Sequence, residues 1–311
     1  MKTILSSILA GSLLATLAVA QSSRSDVLEN IARRAAGHHT SAKCDRSVYV
    51  ITASSQFGTV DLQTGEFVPI PVSPGLADLG IGNGLVQGRG RSTLSLAFSG
   101  DLYKIDPFTG EASRIGATGL ADCSAPGSYA PNCANFIGEL DGRLFATDFA
   151  QNLYSVNPRD GKARLIGPTG VPPLTFPPFR EDPDLPGSLD VYAESLFSLH
   201  GKLYALFSTA AINFQTGVNT PIFPAAIYQI DPETGQTTKL APTNPAISQI
   251  VNVKGTLYSF DAFIGQVVTV DPTTWQTTPV SAVHGAACDA GPPSCVVAGA
   301  TAAHPVRDAR D

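Results

Sequence analysis

Ile227-Tyr228-Gln229-Ile230-Asp231-Pro232-Glu233-Thr234-Gly235 is the stretch that decides the fold, because the chain keeps returning to it. The same phrase stands at Leu102-Tyr103-Lys104-Ile105-Asp106-Pro107-Phe108-Thr109-Gly110 and at Leu153-Tyr154-Ser155-Val156-Asn157-Pro158-Arg159-Asp160-Gly161. Looser copies are Val60-Asp61-Leu62-Gln63-Thr64-Gly65 and Val267-Val268-Thr269-Val270-Asp271-Pro272-Thr273-Thr274-Trp275. Alternating apolar residues, a Pro/Gly turn and a second β-rich run make each copy an antiparallel hairpin. Four of the five copies put Asp before the turn, where a carboxylate accepts hydrogen bonds from the backbone just ahead of it, so these Asp residues are turn formers.

A second hairpin precedes three of the copies, around Gly142, Gly201 and Gly255. Asp141-Gly142-Arg143-Leu144-Phe145, His200-Gly201-Lys202-Leu203-Tyr204 and Lys254-Gly255-Thr256-Leu257-Tyr258 superpose without gaps. Each unit is then four strands, one blade of an all-β propeller. Blade 2 fits with Gly84–Gln87 as inner strand and Thr93–Phe98 as second strand; blade 1 begins directly at Ser47–Ile51 and lacks an inner strand. The last β-like run, Cys295–Ala303, is expected to supply it, giving five four-stranded blades closed by a C-terminal strand with no open edge. Six blades are the alternative, with strands hidden in 71–90 and 167–192. Repeat spacings of 45, 51, 74 and 40 residues, from Gly65 to Trp275, argue against the regular coils of a β-solenoid.

Residues 1–20 carry Lys2, an apolar run and Ala18-Val19-Ala20, which reads as a secretory signal and places the mature chain outside the cell. Residues 21–43 form an N-terminal extension with a short helix capped near Asp26, and Arg33-Arg34 is either a dibasic processing site of the fungal kind, making a propeptide to residue 34, or the solvated basic end of that helix. A single propeller domain over 44–304 and a tail over 305–311 follow. With net charge −6 and only 15% charged residues, the chain is not built for nucleic acid or an anionic membrane surface. Five cysteines in an oxidising compartment suggest local pairs Cys123–Cys133 and Cys288–Cys295 with Cys44 left over, or Cys44 tied to one of the four.

Long loops are expected at 71–82, 117–133, 168–191, 208–224 and 282–294, all on one face, while the short Gly turns lie on the other. Loops on a rigid scaffold are where ligands are met. Seven residues before each turn glycine stand Asn135, Glu194 and Ser248; six after it stand Asp148 and Asp261. These positions ring the channel mouth on the loop-bearing face, and Asn135, Glu194, Asp148 and Asp261 make an oxygen-rich set suited to Ca²⁺ or another divalent cation. Asn83 is a further candidate. In an enzyme the carboxylates Glu194, Asp148 and Asp261 would be catalytic. Glu139 beside Glu194 invites comparison with glycosidase pairs, but sugar platforms are wanting, since Trp275 is the one Trp and lies in an outer turn. Of the histidines, His284 and His304 are the two within reach of the channel. Apolar loop residues Leu174, Phe176, Pro177, Pro178, Phe179, Phe214, Ile222 and Phe223 suit a lid over a small molecule, a protein contact, or packing of loops on one another.

The Leu-Tyr-x-Ile-Asp-Pro-x-Thr-Gly units and the secretory start resemble secreted repeat-type propellers of the gluconolactonase-like and quinoprotein-like neighbourhood, fungal ones among them, over residues 47–303. The gluconolactonase-like resemblance implies a divalent cation in the central channel held by Glu, Asn and Asp. Glu194 and Asn135 match by position, whereas Ser248 and Val297 stand where further ligands are wanted. The quinoprotein-like resemblance implies a quinone, yet the tryptophan-rich repeats that accompany it are missing. The expected function is therefore binding of a small molecule or protein partner on the loop-bearing face by a monomer. The alternative is a metal-assisted lactonase- or esterase-like hydrolase, or an isomerase/lyase-like enzyme of secondary metabolism.

Overall fold

The computed structural model describes residues 46–52, 56–70, 84–88, 92–125, 130–171, 189–213, 218–244, 247–261, 265–285 and 297–302. The chain divides into Met1–Cys44 and Asp45–Asp311, and every described residue belongs to the second unit. The signal, the N-terminal helix, Asn83, His304, the pair Cys288 and Cys295, Cys44 and the apolar loop 174–179 lie outside the described residues.

Five four-stranded antiparallel sheets make a five-bladed propeller. Blade 1 contains β1 (Ser47–Thr52), β2 (Phe57–Asp61) and β3 (Phe67–Pro69). Blade 2 follows with β4 (Val86–Gln87), β5 (Thr93–Leu96), β6 (Asp101–Ile105) and β7 (Ala112–Ala117). Blade 3 is β8 (Ala134–Leu140), β9 (Arg143–Asp148), β10 (Asn152–Val156) and β11 (Ala163–Pro168). Blade 4 is β12 (Leu189–Leu199), β13 (Lys202–Asn213), β14 (Val218–Ile230) and β15 (Thr237–Pro242). Blade 5 is β16 (Ile247–Val253), β17 (Thr256–Asp261), β18 (Gln266–Val270) and β19 (Thr277–Ala282). The final strand β20 (Val297–Ala302) pairs antiparallel with β1, Val50 opposite Ala300, and supplies the inner strand that blade 1 lacks. The inner strands β8, β12, β16, β20 and β4 contact one another in turn and close the ring.

The core is divided among the seams between blades, as the two buried faces of each central strand require. Ile51 and Phe57 of blade 1 meet Leu85 and Ile105 of blade 2; Leu96 and Leu102 meet Ile137 and Ala146 of blade 3; Phe145 and Leu153 meet Leu196 and Leu203 of blade 4. Leu206 and Ile227 then pack on Ile250 and Val268 of blade 5, and Phe260 and Val267 return to Val48 and Val60. Each such side chain contributes about 1.5–3 kcal/mol by leaving water.

The repeated turns are both hairpin ends and rivets between blades. Asp61, Asp106, Asp231 and Asp271 each accept from the backbone two residues on, at 2.7–2.9 Å, as the sequence implied, and Asn157 does the same at 3.0 Å. The following glycine takes a positive φ, for example 79° at Gly161 and 82° at Gly235. It sits against the outer strand of the blade before: a Cβ on Gly116 would lie 2.1 Å from the Asp160 carbonyl oxygen. In blade 5 this glycine position is Trp275, still at φ 60°, and its indole is buried against Phe197 and Tyr204 of blade 4. The inner hairpins turn through Asp141-Gly142, His200-Gly201 and Lys254-Gly255 with both residues at positive φ, the mirror-image turn that matches strand twist.

Two expectations are corrected. Residues 208–224 are mostly strand, because the β-rich Thr209–Asn213 and Val218–Phe223 carry β13 and β14 outward as one long hairpin. His284 lies in the outer seam between blades 5 and 1, away from the channel, with its backbone paired to Gly65 and Phe67 and Nε2 3.2 Å from the Thr64 carbonyl oxygen. It follows the outer strand β19, whose end docks on the turn of blade 1.

Candidate functional site

The loop-bearing ends of the inner strands in blades 3 and 5 are bulged. Asn135 and Phe136 together stand opposite Thr147, and Ser248 and Gln249 opposite Phe260. A bulge re-aims side chains and ends regular pairing, and here it does so at the positions singled out in the sequence. Blade 4 has no bulge there: Glu194 pairs in register with Phe207.

Glu194 is 1% exposed, and its carboxyl reaches across the seam into blade 3. Thr147 Oγ1 donates to Oε1 at 2.7 Å, Gln151 Nε2 donates to Oε2 at 3.2 Å, and Asn135 Nδ2 donates to the same Oε2. Burial pushes this carboxyl up to about 7, and the negative charge of Asp148 adds to the rise; the donors Thr147, Gln151 and Asn135 hold it back. Asn135 is fully buried, and its Oδ1 has no hydrogen-bond partner among the described residues.

The polar contacts continue round the channel. Gln249 Nε2 donates to the Glu194 carbonyl oxygen at 3.1 Å, and Ser248 Oγ donates to the Val297 carbonyl oxygen at 3.0 Å, tying blade 5 to the closing strand. Ser248 and Val297 thus act as fasteners between blades.

Asp148 is fully buried but turns outward along its own blade. It accepts from the Asn152 backbone at 2.8 Å, Asn152 Nδ2 at 2.9 Å and the Tyr154 hydroxyl at 2.8 Å. The Tyr154 phenol is held well above its ordinary value, first by burial and then by that bond. Asp261 is buried at the matching end of β17, where its carbonyl accepts from Gly265 N at 2.9 Å. Glu139 caps the tight turn at the other end of β8, accepting from Gly142 N, and so does not meet Glu194.

Of the expected site residues, Asn135 and Glu194 touch, Asp148 acts on Glu194 through its charge, and Asp261 stands at the end of β17 in blade 5. Among the described residues, no three of His, Cys, Asp and Glu gather as a metal-holding group. The donor set around Glu194 presents N–H and O–H groups, which suits a carboxyl better than a hard cation.

Gln151 is the participant that the sequence reading missed. It stands at φ 64° in the turn between β9 and β10, where blade 2 has Gly100 (φ 76°) and blade 5 has Gly265 (φ 60°). The three carbonyls are used alike, accepting from Thr118, Thr169 and Val283 at 2.6–2.9 Å. A non-glycine residue costs about 1–2 kcal/mol in that conformation. The signal was present in Ser99-Gly100-Asp101-Leu102-Tyr103 against Ala150-Gln151-Asn152-Leu153-Tyr154, where one repeat gives up its turn glycine for a side chain with two donors.

Beside this seam, Cys123 and Cys133 form the expected disulfide, with Cα atoms 5.9 Å apart. The bridge packs with Phe149, Phe207 and Tyr228 and lies two residues ahead of Asn135. It fixes the loop that enters blade 3.

The chain is thus a five-bladed β-propeller, an architecture that commonly binds ligands or partners. No family model matches it, and no curated protein matches it by sequence. Similar solved structures include one described as the nidogen/laminin complex, at 12% identity and a TM-score of 0.46, covering 83% of this chain and 98% of that one. A virginiamycin B lyase from Staphylococcus aureus is 11% identical with a TM-score of 0.38, covering 77% of this chain and 71% of that one. A glutaminyl cyclase from Myxococcus xanthus is 15% identical with a TM-score of 0.34, covering 75% and 74%.

Proposed function

We propose that this is a secreted, ligand-binding propeller whose recognition centre is the Asn135–Glu194 pair at the loop-bearing end of the channel. The observation that carries the reading is a buried carboxyl held near neutrality beside a buried amide oxygen with no partner among the described residues. Each is costly by itself, and an apolar pair would fill the seam more cheaply. Such features persist where a binding task requires them. The ligand class is a small polar molecule that donates a hydrogen bond to Asn135 Oδ1, and binding it would satisfy an acceptor whose isolation costs about 1–3 kcal/mol.

A second reading is enzymatic, and the elevated Glu194 carboxyl favours it, since a general acid–base group works best with a pKa near the operating pH. Glu194 would then move a proton, with Asp148 and Asp261 in supporting positions. A metal-assisted form would draw on Asn135, Glu194, Asp148 and Asp261 around Ca²⁺ or another divalent ion.

The test is a screen of small lactones, esters, amides and polyols by thermal midpoint, run in EDTA and again with added Ca²⁺, Mg²⁺ or Zn²⁺. Hits in EDTA that vanish in Asn135→Leu are the expected result. Hits indifferent to that substitution would sink the site, and a rise with one ion, lost in Glu194→Ala, would favour the metal-assisted enzyme. Turnover of a hit, lost in Glu194→Gln, would establish the second reading.

A further inference from the structure

On the opposite face, where the tight turns lie, a groove of about 580 Å³ opens between blades 2 and 3. Its apolar wall includes Leu94, Ile115 and Leu144, and its rim carries Lys104, Arg143 and Arg159. None of the residues lining it is Asp or Glu, in a chain whose net charge is −6. Arg143 lies 5.0 Å over the Phe145 ring and pairs at 2.5 Å with Glu233. Both members of that pair are largely exposed, so solvent screens it and the cation remains available to a ligand.

Comparison of the chain with its own repeats shows that this seam departs from the others. The turn residue that is Asp61, Asp106, Asp231 and Asp271 elsewhere is Asn157 here, and Asn157 lines the groove. Asn157 still makes the turn, accepting from Arg159 N at 3.0 Å, and the change deletes one negative charge from the lining. Two residues on, where the other copies have Gln63, Phe108, Glu233 and Thr273, stands Arg159. Loss of an anion and gain of a cation coincide at one groove of ligand size.

We propose that this groove binds an organic anion, a small molecule with an acidic group on an apolar body, at a site independent of the channel. Lys104, Arg143 and Arg159 would take the acidic group, and the wall of Leu94, Ile115 and Leu144 the body. Cationic rims over apolar walls are selective because an uncharged analogue gains only the burial term.

The test uses the whole chain and 8-anilinonaphthalene-1-sulfonate, followed by fluorescence, with N-phenyl-1-naphthylamine as the uncharged counterpart. Saturable sulfonate binding is expected, weakened at least about tenfold by Lys104→Glu/Arg159→Glu, since each reversal turns an attraction for the anion into a repulsion. Lys104 and Arg159 are both exposed, so the variant should fold. Asn157→Asp restores the residue that four sister turns already use, and it should weaken the sulfonate about threefold to tenfold without lowering the thermal midpoint. Sulfonate binding that is absent, equal in these variants, or matched by the uncharged analogue would overturn the proposal.

Discussion

Gln151 donates to the Glu194 carboxylate at 3.2 Å from a backbone position at φ 64° that two sister blades fill with glycine. The bond crosses from the β9–β10 turn of blade 3 to the inner strand of blade 4, so one unfavourable backbone conformation is kept in exchange for one donor to one buried carboxyl.

Gln151→Gly separates those two effects. Glycine relieves about 1 kcal/mol of backbone cost, while loss of a hydrogen bond to a charged group costs about 1.5–3 kcal/mol. Above pH 8, where Glu194 is ionised, the variant should be less stable than the parent by about 0.5–2 kcal/mol. Near pH 5, with the carboxyl protonated, the two should be nearly equal. Denaturant unfolding at both pH values reads the difference; equal losses at both would mean that the bond is indifferent to the charge.

Glu194 also sets a slope in the pH dependence of stability. Its carboxyl is raised from 4.5 to about 7 in the folded protein. The folded state therefore holds a proton that the unfolded chain has released, and its contribution is complete below pH 4.5 and lost as pH rises through 7. The span corresponds to roughly 3 kcal/mol. Glu194→Gln, neutral throughout, should flatten this part of the profile between pH 5 and 8 relative to the parent. A parallel profile in the variant would assign the slope to other groups.

The Cys123–Cys133 bridge closes a short loop that leads into Asn135. Replacing both cysteines with serine should lower stability by about 2–3 kcal/mol, the chain-entropy value for a loop of this length. Any ligand found for the channel should also bind less tightly, because the strand entry is no longer fixed. Unfolding midpoints with and without dithiothreitol check the first part.

Trp275 carries two opposed effects in one residue, positive φ and a buried indole. Trp275→Gly gains about 1 kcal/mol of backbone relief and loses about 3–5 kcal/mol of packing against Phe197 and Tyr204. A net loss of about 2–4 kcal/mol is expected in denaturant unfolding. A neutral result would show that the blade 4–5 seam refills without the ring.

The architecture was legible because it rests on repetition: a hairpin phrase with its turn chemistry identifies blades wherever it recurs, and the missing inner strand of blade 1 told where β20 had to go. The Asn135–Glu194 contact was legible for the same reason, since equal offsets from turn glycines place side chains at equal heights in the ring. Direction was harder to read. Asp148 shares that height yet faces Asn152 and Tyr154, because the donors that capture it come from the next strand of its own blade. The long hairpin of blade 4 contains Pro221 and Pro224, which interrupt a strand pattern in the sequence, yet they lie where β14 runs beyond its pairing with β15 and an edge tolerates them. Gln151 is illegible from the repeat itself, because its importance lies in departing from it.

The most direct test of the central claim is the titration of Glu194 itself, by carbon-13 NMR of the glutamate side-chain carboxyls, assigned by the resonance lost in Glu194→Gln. A protonation midpoint near 7, displaced when a channel ligand binds, is the predicted result. A midpoint in the ordinary carboxylate range, unmoved by ligand, would contradict it and leave the Asn135–Glu194 pair as a fastening between two blades.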